Sequence, residues 1–415
     1  MTDVDRICRT ASETAPLVAS LSADVKDAAL RAMADALEDN ASSLAEANAR
    51  DVETAKEAGT SSTIVDRLTL TDARIGGMAA GLRAIAAQPD PTGEVVAGWR
   101  RPNGLLIEKV RVPLGVVAVI YEARPNVTAD VAGLCLKSGN ACVLRGSSIA
   151  LESNIAIVEV LTAAAGNAGV PRGAIQLIPD ASRESATALM RAKDYVDLIV
   201  PRGGRALIRS IEEQATVPYI IDGDGNCHVF VDRAADPQMA TDIVVNAKTQ
   251  RPSVCNAAET LLVHEEIASK WLPATLDALD EKGVEVRGDD QVRQLWPKAA
   301  PASEEDWRTE YLDLILAVKV VGSLDEAIAH VNTYGTSNAE AIVSQDVAAA
   351  RRFAAEIDSG SIFVNASTRF SDGGEFGYGG EIGISTQKLH ARGPMGLREL
   401  TTTKYVVWGD GQVRS

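Results

Sequence analysis

The sequence predicts an α/β protein made of two doubly wound domains and a small β element suited to oligomerisation. Three observations carry that fold class. The chain has 415 residues, more than one hydrophobic core usually organises, so two substantial domains are expected. Short apolar runs alternate with helical segments in two successive series, the pattern of parallel strands covered by helices. An Asn103-Gly104 pair stands between two extended apolar stretches, a strong hairpin signal. The expected boundaries are 1–96 with 115–240 for the first domain, 241–395 for the second, and 97–114 with 396–415 for the β element.

Taken in chain order, residues 1–90 read as helices. Val25, Ala29, Met33 and Leu37 recur at four-residue spacing behind a capping residue, Ser22, and Gly59 is placed to stop the next helix. The pattern then becomes extended, with Val95 and Val96 before the Asn-Gly pair and Leu105, Ile107, Val110 and Val112 after it. From residue 115 strands are expected at 116–120, 141–144, 174–178, 196–200 and 217–221, separated by amphipathic helices such as 151–165 and 205–215. Right-handed crossovers follow from that order. A second series begins near residue 235, with strands at 260–263, 315–321, 340–343 and 362–364. The final segment, 401–408, is β-branched and aromatic enough to return as a strand, and pairing it with the hairpin would build a subunit interface.

Composition narrows the partners. A formal charge of −16 repels nucleic acid and anionic lipid surfaces, and 4% aromatic residues leave few platforms for stacking bases. Neither nucleic acid nor membrane is therefore an expected partner, and no run approaching about 20 apolar residues stands out as a span. Cys8, Cys135, Cys142, Cys227 and Cys255 form an odd, widely spaced set with no C-x-x-C pair. That fits neither a disulfide framework nor a metal site, and a reducing cytoplasm is the expected compartment.

An anionic ligand then needs local arginines. In open α/β sheets ligands gather at the carboxyl ends of strands, where Arg124, Arg145 and Arg202 follow the first, second and fourth expected strands. Neither the G-x-G-x-x-G fingerprint nor a P-loop is present. Phosphate binding is left to the turns Gly146-Ser147-Ser148 and Arg202-Gly203-Gly204, whose backbone N–H groups follow strands directly. Cys255 stands in a polar, proline-broken turn, Thr249-Gln250-Arg251-Pro252-Ser253-Val254-Cys255-Asn256, between a helix and a strand. Cys135 and Cys142 sit in apolar runs, as structural cysteines do, whereas Arg251 near Cys255 would favour a thiolate. On these residues alone, a nucleophile and an inert cysteine both fit.

Longer stretches go further. The segment Asn246-Ala-Lys-Thr-Gln-Arg-Pro-Ser-Val-Cys255-Asn-Ala-Ala-Glu-Thr, with 121–130, 200–205, 364–377 and 381–386, resembles the gamma-glutamyl phosphate reductase family of the aldehyde dehydrogenase superfamily. The similarity runs from about residue 20 to the end. It implies an aldehyde dehydrogenase-like fold and NADPH-dependent reduction of L-glutamyl 5-phosphate to L-glutamate 5-semialdehyde in proline biosynthesis. A homo-oligomer and a functional association with glutamate 5-kinase are implied as well. Cys255 would form a thioester with release of phosphate, and Asn126 with the Cys255 backbone N–H would stabilise the oxyanion. Arg145 and Ser148 align with a lysine and a glutamate that grip an NAD ribose. Keeping a cation and removing a carboxylate favours the 2′-phosphate of NADP. Ser147, Arg202, Gly203 and Gly204 complete that cofactor set, with Asp313 aligned near the nicotinamide ribose. Position and charge nominate Arg124, Arg251, Ser367 and Arg369 for the substrate.

Two differences from the superfamily pattern bear on chemistry. Relatives that hydrolyse the thioester carry a glutamate base where this chain has Ile221, and the loss of that base suits exchange with phosphate. A histidine commonly stands in the family at the position of Asn338, so no role of that histidine carries over. His330, close by on an expected helix, reads as structural. The rival functions are a cysteine hydrolase, which would need a partner among His228, His264, His330 and His390, and a non-enzymatic α/β binding protein.

Overall fold

A computed structural model describes residues 3–414. They divide into two compact units. The first runs to Ile221 and includes Gly377–Gly383 and the segment from Met395 onward; the second comprises Asp222–Phe376 and Ile384–Pro394. The boundary falls at Ile221 rather than at 240, because the strand Cys227–Val231, absent from the expected series, belongs to the sheet of the second unit.

The first unit opens with five helices, Asp3–Ala19, Ala23–Asp39, Ala41–Glu57, Ser62–Leu68 and Asp72–Ala86. Ser22 caps the second, its hydroxyl accepting from the Val25 N–H at 3.4 Å, and Gly59 takes a left-handed φ of 73° just beyond the third. Four parallel strands follow in the sheet order Ile175–Leu177, Ala141–Arg145, Val116–Tyr121, Leu198–Arg202. Val116–Tyr121 is buried along its whole length, as a central strand covered on both faces must be. Residues 217–221, expected as a fifth strand, make only a bridge from Tyr219 to Ile199. Pro218 has no N–H to continue a ladder, and its carbonyl accepts from Ile199 at 2.8 Å.

One helix is unusually apolar for its length. Residues 148–167 have a mean hydropathy of 1.5, enough by length and composition to cross a bilayer. Here they pack on Ala23–Asp39 and Ala41–Glu57. The Asp51 carboxylate reaches in to accept from the Ser153 N–H at 2.8 Å and the Ser153 hydroxyl at 2.6 Å.

The hairpin strands Val95–Arg100 and Leu106–Pro113 pair antiparallel, and Thr401–Trp408 completes the sheet on the far side of Leu106–Pro113. The turn closes from Gly104 N–H to the Arg101 carbonyl at 2.9 Å, with Gly104 at φ 92°. Pro102 and Asn103 are thus the central turn residues, and the glycine supplies the left-handed step after them.

In the second unit seven parallel strands lie in the order Ala300–Pro301, Glu285–Gly288, Ile315–Val321, Ala258–His264, Cys227–Val231, Ala339–Val343, Ser361–Val364. Ala258–His264, Cys227–Val231 and Ala339–Val343 are fully buried. Glu285–Gly288 and Ala300–Pro301 went unrecognised because they are too short to carry a period.

Gly115, which starts the central strand of the first unit, has φ 127°, and a methyl group there would lie 2.2 Å from Asp197 Oδ2. That carboxylate accepts from the Val116 N–H at 2.8 Å. Gly115→Ala is expected to destabilise the protein by about 1–3 kcal/mol, from the strained φ and the displaced carboxylate, read as a lowered urea midpoint.

Candidate active site

The turn that carries Cys255 follows from local chemistry. Asp236 caps the helix Pro237–Thr249 by accepting from Met239 N–H at 2.8 Å, with Pro237 in the first turn. Pro252 prevents the helix from continuing, and the chain re-enters regular structure at Ala258. Cys255 is half-buried, the other four cysteines are buried, and none of the five is in a disulfide. It precedes its strand, so within the second unit it lies at the amino ends of the parallel strands.

Three contacts hold the turn. Gly225 passes against it so closely that a methyl group would lie 1.8 Å from the Cys255 carbonyl oxygen. That carbonyl also accepts from the Cys227 thiol at 3.2 Å. On the other side Asn256 is bracketed by the 367–371 loop, its amide donating to the Ser371 carbonyl at 2.8 Å and its carbonyl accepting from the Thr368 hydroxyl at 2.7 Å. Gly225 is itself held, its N–H donating to Glu310 Oε1 at 2.8 Å.

The 367–371 loop delivers Arg369 to this turn, where its Nε donates to Gln250 Oε1 at 2.9 Å. Burial lowers the Arg369 pKa, and the like charge of Arg251 lowers it further, against the pull of Asp372 and of Cys255. Of the expected site residues, Arg251 and Cys255 thus both act electrostatically on Arg369. Ser367 is buried and its hydroxyl accepts from the Arg369 N–H at 3.3 Å, which leaves its own proton to donate.

His330 is enclosed by aromatic rings, with centroids 5.6 Å from His228, 5.6 Å from Trp307 and 4.5 Å from Tyr334. Neither of its ring nitrogens is hydrogen-bonded, and burial pushes its pKa down to about 3. His228 is bonded to Glu340 at 3.1 Å, and His264 caps the helix Glu265–Asp280 by accepting from Glu266 N–H at 3.2 Å. These three histidines are engaged structurally, which removes most of the support for a cysteine hydrolase. Asn338 is fully buried and its side chain makes no hydrogen bond.

In the first unit Arg145 and Arg202 flank the central strand at its carboxyl end, paired with Ile120 and Tyr121. Arg145 Nη2 donates to the carbonyls of Ala181 and Ser182 at 2.6 and 2.7 Å. Its Nε and the Ser147 hydroxyl are buried without a hydrogen-bond partner. Burial lowers the Arg145 pKa in spite of Asp180. Gly146 must be glycine, since a methyl group would lie 2.0 Å from Asn154 Nδ2. Ser148 and Arg124 are exposed.

The Gly203-Gly204 turn corrects the expectation of bare amides: Gly204 N–H donates to Glu122 Oε1 at 3.2 Å. A carboxylate of this chain holds the position foreseen for a phosphate. Asn126 opens the helix Asn126–Lys137, and its amide donates to Asp130 Oδ2 at 3.1 Å. Burial raises Asp130 to about 6 against the opposing effects of Asn126 and Arg202. Asp313 in the second unit is exposed and accepts from Leu314 N–H at 2.7 Å.

Gly225, Glu310 and the buried pair Lys248–Glu259 were not foreseen. The one available signal was Glu259 interrupting an otherwise apolar run, 257–263, since a carboxylate there must be paired.

With this geometry in view, the comparisons with known proteins fall into place. A family profile described as the aldehyde dehydrogenase family matches residues 1–294 and 299–406. A gamma-glutamyl phosphate reductase of Moorella thermoacetica is 57% identical over 404 residues, covering 97% of each chain. The chain belongs to the aldehyde dehydrogenase family, among the gamma-glutamyl phosphate reductases. Another from Thermobifida fusca is 55% identical over the full length of both chains. The crystal structure of a gamma-glutamyl phosphate reductase from Thermotoga maritima superposes with a TM-score of 0.98 at 46% identity, again over both whole chains. An acetylating aldehyde dehydrogenase from Geobacillus thermoglucosidasius, 18% identical with a TM-score of 0.69 over 100% of this chain and 98% of that one, shares the fold. Family membership makes this an oxidoreductase that uses a nicotinamide cofactor.

Two outcomes follow. Gly225→Ala is expected to lower kcat by at least about tenfold, because the Cys255 carbonyl must move, while circular dichroism stays native. His330 binds a proton less readily in the folded protein than at its ordinary value of 6.5. Its contribution to stability is present above pH 6.5 and is lost as pH falls towards 3. His330→Phe is expected to flatten the acid loss of stability by up to about 1.4 kcal/mol per pH unit, measured by urea titration at pH 4, 5.5 and 7.

Proposed function

We propose that the protein reduces L-glutamyl 5-phosphate to L-glutamate 5-semialdehyde, with release of phosphate and with NADPH as reductant, in proline biosynthesis. The observation that carries the proposal is a half-buried thiol, Cys255, on a turn pinned by Gly225, Cys227 and Asn256, with its charge and that of Arg251 both acting on Arg369. Full-length relatives named gamma-glutamyl phosphate reductase support the substrate.

The sulfur of Cys255 attacks the acyl carbon, a C–S bond forms, and the acyl C–O bond to phosphate breaks with the electron pair leaving on phosphate. Arg251 and Arg369 offset the charge of the anionic substrate and of the departing phosphate. NADPH, when bound, supplies the hydride that reduces the thioester carbon. Cys255 is then expelled as thiolate when the thiohemiacetal collapses to the aldehyde. The developing oxyanion would be met by the Cys255 N–H and by Asn126, whose amide has a second hydrogen besides the one given to Asp130. Arg124 is proposed for a substrate carboxylate. Ile221 in place of a glutamate leaves that position without a carboxylate to activate water.

The nucleotide would be held by Arg145, Ser147 and Ser148, and the buried unpaired Nε of Arg145 and hydroxyl of Ser147 suit donors to a phosphate or ribose. Preference for the 2′-phosphate rests on the cation of Arg145. Arg202 adds a second cation at the same sheet edge. Asp313 is proposed for the nicotinamide ribose. A homo-oligomer joined through the three-stranded sheet is proposed from its exposed apolar side chains, among them Trp99, Tyr405 and Trp408. The reactive substrate also makes association with glutamate 5-kinase, its source, part of the proposal, with a reducing cytoplasm as the compartment.

The test runs the reaction backwards. With glutamate semialdehyde and NADP, nicotinamide reduction is expected to depend on phosphate, and turnover at full rate without phosphate would overturn the acyl-phosphate assignment. Cys255→Ser should reduce kcat on the order of 10³-fold or more, with substrate binding retained by calorimetry.

A further inference from the structure

We propose that the buried pair Lys248–Glu259 is a positioning pair that sets the Cys255 turn against the 310–313 segment. The proposal rests on the reading of Cys255 as the nucleophile.

The pair closes the turn from both ends. Lys248 occupies the last turn of the helix that leads into it, and Glu259 is the second residue of the strand that leaves it. The Lys248 ammonium lies 2.6 Å from Glu259 Oε2, with both side chains wholly shielded from solvent. Such a pair is poor value as a source of stability, because the loss of hydration of two charges roughly cancels their attraction. Burial indeed pushes Glu259 up to about 7 against the pull of Lys248, and pushes Lys248 down against the pull of Glu259. A pair that adds little stability yet sits at both ends of the nucleophile's turn calls for another role.

The second oxygen of Glu259 supplies it. Oε1 accepts from the Leu312 N–H at 3.2 Å, and Leu312 is held at φ 54°, a left-handed conformation that a branched side chain rarely adopts. Two residues earlier Glu310 accepts from Gly225 N–H at 2.8 Å, and Gly225 bears directly on the Cys255 carbonyl. The contacts form a closed circuit: the Cys255 turn, Gly225, Glu310, Leu312, Glu259, Lys248 and back to the turn. Asp313, proposed for the nicotinamide ribose, is next in sequence, and its charge acts on Lys248. The Lys248 ammonium also lies 6.0 Å from the Tyr311 ring centroid. One ion pair thereby couples the thiol's turn to the segment that bears Asp313. Glu310, Asp313, the Cys227 thiol and Tyr311 all interact electrostatically with the pair.

Three variants test this: Glu259→Gln, Lys248→Met, and the apolar double variant Lys248→Met/Glu259→Leu. Two readouts are needed, the alkylation rate of Cys255 by iodoacetamide across pH 6–9, followed by peptide mass spectrometry, and kcat with KM for glutamate semialdehyde and NADP. The expected result is a fall of at least tenfold in kcat, a less than threefold change in aldehyde KM, and an altered pH profile of alkylation. These effects should persist in the double variant at an unchanged melting temperature. A double variant with wild-type kcat and alkylation profile would overturn the proposal, as would activity losses that merely track the fraction unfolded. If the double variant does not fold, near-isosteric Glu259→Gln decides, with wild-type values overturning the proposal and a tenfold loss in kcat supporting it. Alkylation is read without turnover, and Cys255→Ser separately tests the nucleophile, so the two readings fail independently.

Discussion

The carbonyl of Cys255 and the backbone of Gly225 approach so closely that only a hydrogen atom fits where a side chain would be. Much of the second unit's site is arranged around that contact. Gly225 lies just before the strand Cys227–Val231, and Cys255 just before its sheet neighbour Ala258–His264. The packing of two adjacent parallel strands therefore sets where the thiol sits. Glu310 fixes Gly225, the 367–371 loop fixes Asn256, and the half-buried Cys255 is carried on a backbone held from both sides, with its charge felt by Arg369. A nucleophile held this way meets its substrate with little further loss of freedom.

Electrostatics follows the same economy. A chain of net charge −16 still carries local cations near its proposed sites. Burial and the like charge of Arg251 both work against the charge of Arg369. Arg145 and Arg202 stand on either side of the central strand at the carboxyl edge of the first unit's sheet. The exception is instructive: the Gly203-Gly204 turn has the glycines of a phosphate loop, yet Glu122 already occupies its amide. Glycine permits close approach of a ligand, but which group approaches depends on the neighbouring strand end.

Much of the architecture was legible in the residues. The helix cap at Ser22, the hairpin near Asn103-Gly104, the returning strand at 401–408 and the polar turn around Cys255 each rest on interactions within a few residues or on a clear period. Misreadings came where those signals fail. Residues 217–221 are apolar and β-branched, but Pro218 cannot donate to a ladder, so the ladder stops at one bridge. The helix 148–167 has the mean hydropathy of a membrane span, but it packs against neighbouring helices and takes the connecting place expected for it.

By itself the sequence determined the α/β class and, through long matching segments, the family, and it was that match that nominated Cys255 among five cysteines. Those properties are written in residue order, as periodicity, composition and contiguous motifs. Only the tertiary structure decided that Gly225 bears on Cys255, that Lys248 and Glu259 join the two ends of its turn, and that the chain passes from the first unit to the second after Ile221. Each of these depends on which strands become neighbours. Strand neighbourhood is a matter of sheet order, and no local pattern of side chains records it.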